Sequence, residues 1–259
     1  DWRNAFWRKS QLIYACRWLP FPDRRREEIE KNCHFCCGLL REMSFRLVIF
    51  DFDGTLADTR RLVVATMRDV LADMALPVAE ESSCMATIGM PLRRCYAQLV
   101  PGLSAEQLDQ CYDAHQRLFD KNLQVISPAL FPNVESTLSV LAAHKIQLSV
   151  ASSRSTRSLL DLIRRLHLDG CFNYVVGADD VEHHKPHPDA VLKTLEALGV
   201  DRDEALVVGD TVLDIAMGRD AAVATCGVTY GIGTHEQLVG EGATYVVDSV
   251  AAVGSLVLP

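Results

Sequence analysis

The sequence lacks any apolar run near the ~20 residues that a membrane-spanning helix requires. Its nearest approach, QLIYACRWLPF from Gln11, is too short and is broken by Arg17, which argues against a spanning helix and a signal peptide alike. Positive charge is also in deficit: 26 Lys and Arg stand against 34 Asp and Glu, a formal net charge of -8. That balance disfavours nucleic acid or an anionic membrane as the main partner. An acidic chain that handles anions must instead gather cations locally, as a metal or as a few placed Lys and Arg. The cysteines do not make an even, regularly spaced disulfide set. There are 9 of them, scattered, which suits reduced thiols and a cytoplasmic location. Internal repeats and low-complexity stretches are missing too.

What is present is apolar material for a large fold. The hydrophobic fraction is 49%, which supports a sizeable core and argues against disorder. A chain of 259 residues suits one large domain or a core plus a smaller one. The sharpest local feature is RLVIFDFDGTLADT at residues 46–59. Its uninterrupted Leu-Val-Ile-Phe run reads as a strand covered on both faces, as in parallel sheets. Asp51 and Asp53 follow at the C-terminal end, where open α/β sheets bind ligands. Side chains alternate along a strand, so two carboxylates in this spacing can face the same way. Like charges that close are costly unless a cation or a shared proton offsets them. On this stretch alone a solvated turn accounts for the pair equally well.

Residues 1–42 differ in character from the rest, being rich in Trp, Arg and Cys without a sustained period. Met43 stands directly before the first clear strand, so the plainest expectation is a natural start there, preceded by an artefact or an upstream translated stretch. A sharper reading makes Cys33, His34, Cys36 and Cys37 zinc ligands, with Cys16 in reserve, although structural zinc sites usually bring a second spaced pair and none follows. An added docking arm is the third reading.

Residues 59–125 read as helical. RRLVVATMRDVLADM is amphipathic, and Asp58 is expected to cap it. SAEQLDQCYDAHQRLFDKNL opens on Ser104 as N-cap and sets Leu108, Cys111, Tyr112, His115, Leu118 and Phe119 at helical spacing, with Tyr112 and His115 as packing residues. TIGMPLRRC, with Gly89 and Pro91, reads as a loop entering a further helix. From about residue 130 strands and helices alternate: IQLSVASS is a strand, STRSLLDLIRRLHL a helix, FNYVVGADD a strand, PDAVLKTLEALGV a helix that begins with proline at its first turn and ends with a glycine stop, EALVVGDTVLD a strand running into a helix, AVATCGVTYG a strand, and ATYVVDS a last strand before a closing helix. The expected fold class is α/β. A doubly wound, Rossmann-like parallel-sheet core (43–58 and 126–259) carries an inserted all-helical cap (59–125).

Strand ends deliver the polar groups: Asp51 and Asp53, then Ser152 and Ser153, Lys185 in EHHKPHPD, and Asp210 and Asp214 in GDTVLD. In a parallel sheet these ends share one edge, so the groups converge although distant in sequence. Acids beside one lysine make a Mg2+ and phosphate site, because Mg2+ favours oxygen ligands and retains waters or phosphate oxygens. Gly54 permits a tight turn beside the phosphate, and Thr55 offers it a hydroxyl and an N–H.

The ordered set DFDGT, a serine after an apolar strand, KPHPD and GDTVLD resembles the haloacid dehalogenase superfamily, in its phosphatase branch with a helical cap. The similarity runs from Met43 to about Leu258, and GVTYGIGTHEQLVGEGATYVVDS is similar to the closing region of phosphoglycolate-phosphatase-like members. The resemblance implies Asp51 as nucleophile forming an aspartyl-phosphate and Asp53 as general acid, then base. It further implies Ser152 on a phosphoryl oxygen, Lys185 pairing nucleophile and transferring group, and Mg2+ on Asp51, Asp210, the main-chain carbonyl of Asp53 and Asp214 or its support. The expected substrate is a small phosphorylated metabolite, handled by a monomer or homodimer. A β-phosphoglucomutase-like mutase shares the same motifs, and a non-catalytic phosphate-binding protein is the alternative from another class. Substrate identity lies with the cap, where Arg93 and Arg94 are candidate anion contacts or a solvated helix face.

Overall fold

The fold follows from one buried strand and its neighbours. In this computed structural model, which describes residues 45–258, strand β1 (Leu47–Phe50) is buried along its whole length. The readings of Cys16, Cys33, His34, Cys36 and Cys37, and of residues 1–42 generally, lie outside the described residues. β1 pairs in parallel with β4 (Gln147–Ala151) on one side and β6 (Ala205–Gly209) on the other, Leu47 lying opposite both Gln147 and Ala205. With β5 (Tyr174–Val176), β7 (Ala224–Val228) and β8 (Tyr245–Val247) the sheet has six parallel strands in the order β5-β4-β1-β6-β7-β8.

The two-residue period of a strand sorts the core into two halves. Val48 and Phe50 of β1 join Leu148, Val150, Leu206 and Val208 on one face. That face is covered by α5 (Val134–Ala143), α6 (Thr156–Arg165) and α10 (Val250–Val257). Leu47 and Ile49 point the other way, against Ala190, Val191 and Leu195 of α7 (Asp189–Leu198) and Met217 of α8 (Val212–Asp220). Helix α9 (His235–Glu241) lies between β7 and β8 in the chain. The sequence expectation for α7 is met at both ends, with Pro188 preceding it and Gly199 ending it at φ 62°.

The cap is helical, as expected. It comprises α1 (Arg60–Asp73), α2 (Glu81–Met85), α3 (Leu92–Leu99) and α4 (Ala105–Asn122). α1 buries Leu62, Val63, Thr66, Met67, Val70 and Leu71 as one stripe. Ser104 and Gln107 close a capping box at the start of α4. Where the chain crosses between core and cap, β2 (Ala57–Asp58) and β3 (Ala129–Leu130) pair antiparallel. At α1 the N-cap is Thr59 rather than Asp58. Asp58 instead accepts a 3.3 Å bond from the Arg60 backbone N–H and holds the Arg60 guanidinium. Among the described residues no helix is long and apolar enough to cross a membrane.

Candidate active site

The C-terminal edge of the sheet gathers charge into a dry place. Asp51 directly follows β1, and its backbone N–H donates to the Val208 carbonyl at 2.8 Å, which fixes the chain as the strand ends. Lys185, just ahead of α7, reaches back so that Nζ lies 2.6 Å from Asp51 Oδ1 and 2.6 Å from Asp214 Oδ1. The lysine side chain is 4% exposed, which rules out a surface helix cap. Asp214 is set by its own helix start: the Thr211 hydroxyl donates to Oδ2 at 2.6 Å and the Thr211 N–H at 3.0 Å. It is therefore both a first-turn acid and a member of the site. Asp210 accepts from the Thr55 hydroxyl at 3.0 Å and from the Ile232 N–H at 2.8 Å.

Two glycines let the backbone come this close. Gly54 has φ 90°, and a Cβ there would stand 2.3 Å from Asp210 Oδ2. A Cβ on Gly231 would meet the same carboxylate at 2.3 Å. Gly54 comes up against Asp210, and the Thr55 hydroxyl is engaged by that carboxylate rather than left free for a phosphate.

The electrostatics are lopsided. Burial pushes the Asp51 carboxyl well above the usual range, opposed by Lys185 and reinforced by Asp214 and Asp210. Burial, with the charge of Asp214, pushes Asp210 up to about 7. Burial works against the Lys185 ammonium, yet Asp214 and Asp51 hold its pKa above the ordinary lysine value. Three carboxylates thus share one cation. Donor oxygens of Asp51, Asp210 and Asp214 lie within 4.8 Å of one another, and all three residues are buried. An all-oxygen set with surplus negative charge fits a hard divalent cation such as Mg2+.

Asp53 lies apart from that cluster. Its carboxylate accepts from the Thr59 hydroxyl and from both arms of Arg154, Nε at 2.6 Å and Nη2 at 2.8 Å. The Arg154 guanidinium also lies over the ring of Phe119, a cap residue, 4.6 Å from its centroid. Sequence reading missed Arg154; its only signal was its place directly after Ser152 and Ser153. Ser152 is buried at the mouth and accepts from the Arg154 N–H at 3.2 Å. Ser153 does not cap α6, which Ser155 does, but donates at 2.7 Å to the carbonyl of Gly89 in the cap. Arg93 is exposed and ion-paired with Asp109, its guanidinium 5.4 Å from the Tyr112 centroid. His115 is buried, bonds the Tyr96 hydroxyl at 2.8 Å and stacks on Phe119, which makes it the packing residue expected.

Between edge and cap lies a cleft of about 530 Å³. Asp51, Asp53, Ser152 and Arg154 line one wall, and Met67, Ile88, Met90, Tyr112 and Phe119 the other. The cleft is thus charged at one end and apolar at the other.

The comparisons agree with this geometry. Residues 48–228 match the haloacid dehalogenase-like hydrolase family. The chain is 35% identical over 209 residues to the probable phosphatase IndB of Dickeya dadantii, covering 80% of this chain and 91% of that one. It is 30% identical over 213 residues to a phosphoglycolate phosphatase of Shigella boydii, covering 74% and 84% respectively. A haloacid dehalogenase-like hydrolase from Bacteroides fragilis has a crystal structure matching at TM-score 0.75 and 26% identity, over 81% of this chain and 99% of that one. With the charged sheet edge, these matches show that the chain belongs to the haloacid dehalogenase-like hydrolases and is a phosphatase of their phosphoglycolate-phosphatase-like branch.

Proposed function

We propose that this phosphatase hydrolyses a small phosphomonoester through a phosphoenzyme on Asp51. The observation that carries the reading is Lys185, buried and bridging Asp51 and Asp214 at 2.6 Å beside the third carboxylate, Asp210. A carboxylate approaches a phosphate dianion only where its charge is offset. The carboxylates of Asp51, Asp210 and Asp214 and the main-chain carbonyl of Asp53 would hold Mg2+, which when bound neutralises charge on the phosphate.

Asp51 attacks phosphorus, and the bond to the leaving oxygen breaks as the Asp51–phosphorus bond forms. Lys185 and Ser152 hold phosphoryl oxygens through the transfer. Asp53 gives a proton to the departing alkoxide and then takes one from the water that releases inorganic phosphate and regenerates Asp51. To do so the Asp53 carboxylate must leave the Arg154 and Thr59 contacts seen here. The cap wall selects the organic group. The relative named phosphoglycolate phosphatase supports a small phosphorylated acid as the first substrate to try.

The test is phosphate release from phosphoglycolate and a panel of phosphorylated metabolites, before and after chelation and Mg2+ add-back. Hydroxylamine trapping reads the acyl phosphate. Turnover that survives chelation, or a trapped phosphoenzyme in Asp51→Asn, would sink the reading. A sugar-phosphate isomer as product in place of inorganic phosphate would replace hydrolysis by mutase chemistry.

A further inference from the structure

The loop EHHKPHPD contributes Lys185 to the site, but three of its other side chains converge outside it. Asp189 opens α7 with its carboxylate held between two imidazoles. Oδ1 lies 2.8 Å from His187 Nδ1, and Oδ2 lies 3.1 Å from His183 Nδ1. The His183 backbone N–H donates to the same Oδ2 at 3.0 Å. The two rings are 4.4 Å apart between centroids, inclined at 34°. One donor atom from each of the three residues falls within 4.8 Å of the others. The side chains of His183 and His187 are 57% and 47% exposed, so the group opens to solvent and leaves positions for water.

We propose that His183, His187 and Asp189 form a second metal site, for a borderline transition-metal ion of the Zn2+ class. Two imidazole nitrogens and one carboxylate oxygen, completed by water, suit Zn2+, Co2+, Ni2+ or Cu2+, with Zn–N bonds near 2.0–2.1 Å. Mg2+ and Ca2+ prefer oxygen alone, as the buried cluster of Asp51, Asp210 and Asp214 offers. The two sites therefore sort ions by ligand type, and this one does not depend on the catalytic reading. Only a small rearrangement separates the present contacts from a coordination sphere, since the three donor atoms already lie within 4.8 Å of one another and an ion would replace the hydrogen bonds between them. The ring proton on Nδ1 moves to Nε2 as the ion binds, so neutral imidazoles serve without being charged.

Position gives the site its consequence. The ligands stand on both sides of Lys185 in the chain, and an ion shared among them ties the loop at both ends. Occupancy restrains the segment that presents Lys185 to Asp51 and Asp214, and raises the melting temperature by mass action.

The experiment titrates Zn2+ into the full chain with Mg2+ in excess, by calorimetry, in the wild type, His183→Gln, His187→Gln and the exposed control His144→Gln. Co2+ loading is read in parallel by absorption. Loss of an outer-shell partner already costs about 10–100-fold in metal affinity, so losing a direct ligand should weaken this equivalent by about 100-fold or more. The wild type and His144→Gln should bind one equivalent more than either loop variant. The Co2+ signal lost in those variants should lack a sulfur charge-transfer band, which separates it from binding at Cys33 and Cys36. Equal stoichiometry and affinity in the wild type and both loop variants would overturn the site. So would a histidine-dependent equivalent weaker than about 1 mM, which is adventitious surface binding only.

Discussion

The two walls of the cleft are built differently. The sheet wall is backed by buried charge: Lys185 joins Asp51 and Asp214 through 2.6 Å bonds with Asp210 beside them, and each of the three acids is set by the end of a strand or the first turn of a helix. The cap wall is largely apolar, with Met67, Ile88, Met90, Tyr112 and Phe119 facing the same space. Phosphoryl transfer needs charge fixed in advance, because reorganising it during reaction is costly. Recognition of the organic group relies instead on shape, on apolar contact and on the few polar cap residues that also line the cleft, Arg93, Arg94 and Gln116. On the proposed function, catalysis falls to the sheet edge and substrate choice to the cap, and that division can be broken one residue at a time.

The largest effect belongs to the sheet wall. Asp51→Asn keeps the shape but removes the proposed nucleophile, so turnover should fall by about 10⁴-fold or more with every leaving group. Lys185→Met should fail differently. It leaves the Asp51 and Asp214 carboxylates buried without their cation, and breaking such a pair costs about 3–5 kcal/mol. Chemical denaturation in chelator should show that loss, with Mg2+ restoring part of it. An unchanged denaturation midpoint would mean that Lys185 does not stabilise the acids.

Asp53 sits on the boundary between the walls, and its prediction is conditional on the leaving group. Asp53→Asn would remove the proposed proton donor and base for hydrolysis, a loss typically of about 10²–10⁴-fold. An alkyl phosphate, which expels a strong base, should suffer more than p-nitrophenyl phosphate in the phosphorylation step, and phosphoenzyme should accumulate. Equal losses in single-turnover kinetics, with no accumulation, would make Asp53 a structural acid.

How far the chain itself displayed these walls follows from their physics. The sheet wall was legible because apolar strands that stop at polar groups recur along the chain, and parallel topology brings those distant strand ends to one edge. The salt bridge from Arg154 to Asp53 was not legible, since it depends on the path of one long side chain across the cleft. Helix α5 escaped although Asn133 and Glu135 stand at its start, and in the structure Asn133 is left-handed and makes no side-chain cap bond. β2 and β3 are two residues each, too short for a period to show. α6 buries Leu159, Leu162 and Ile163, while Leu160, and Leu166 at its C-cap, are only partly buried.

A smaller effect tests the cap wall through pH. Burial, with the nearby Arg154 charge second, lowers the His115 pKa from 6.5 to about 3. A depressed folded-state pKa means the stability is complete above 6.5 and is lost as pH falls from 6.5 toward 3, because the unfolded chain takes up the proton first. Between pH 7 and pH 5 this amounts to about 2 kcal/mol. His115→Gln, which can still meet the Tyr96 hydroxyl, should lose about that much less over the same interval in urea melts. Parallel stability curves for the two proteins would place His115 in a wetter setting than the one described.

The smallest effect probes the join between the walls. Ser153 donates to the Gly89 carbonyl at 2.7 Å, a bond from the sheet edge to the cap. Ser153→Ala leaves that carbonyl to water, since both residues are only partly buried, and a hydrogen bond of this kind contributes about 1 kcal/mol. If the bond helps to close the cap over substrate, its loss falls on substrate binding: KM should rise up to about fivefold with kcat nearly unchanged. Hydrogen exchange at the 57–60 and 127–132 crossings should quicken in the same variant, because fewer contacts then oppose opening. A fall in kcat at constant KM would instead assign Ser153 to the phosphoryl group, and so to the sheet wall.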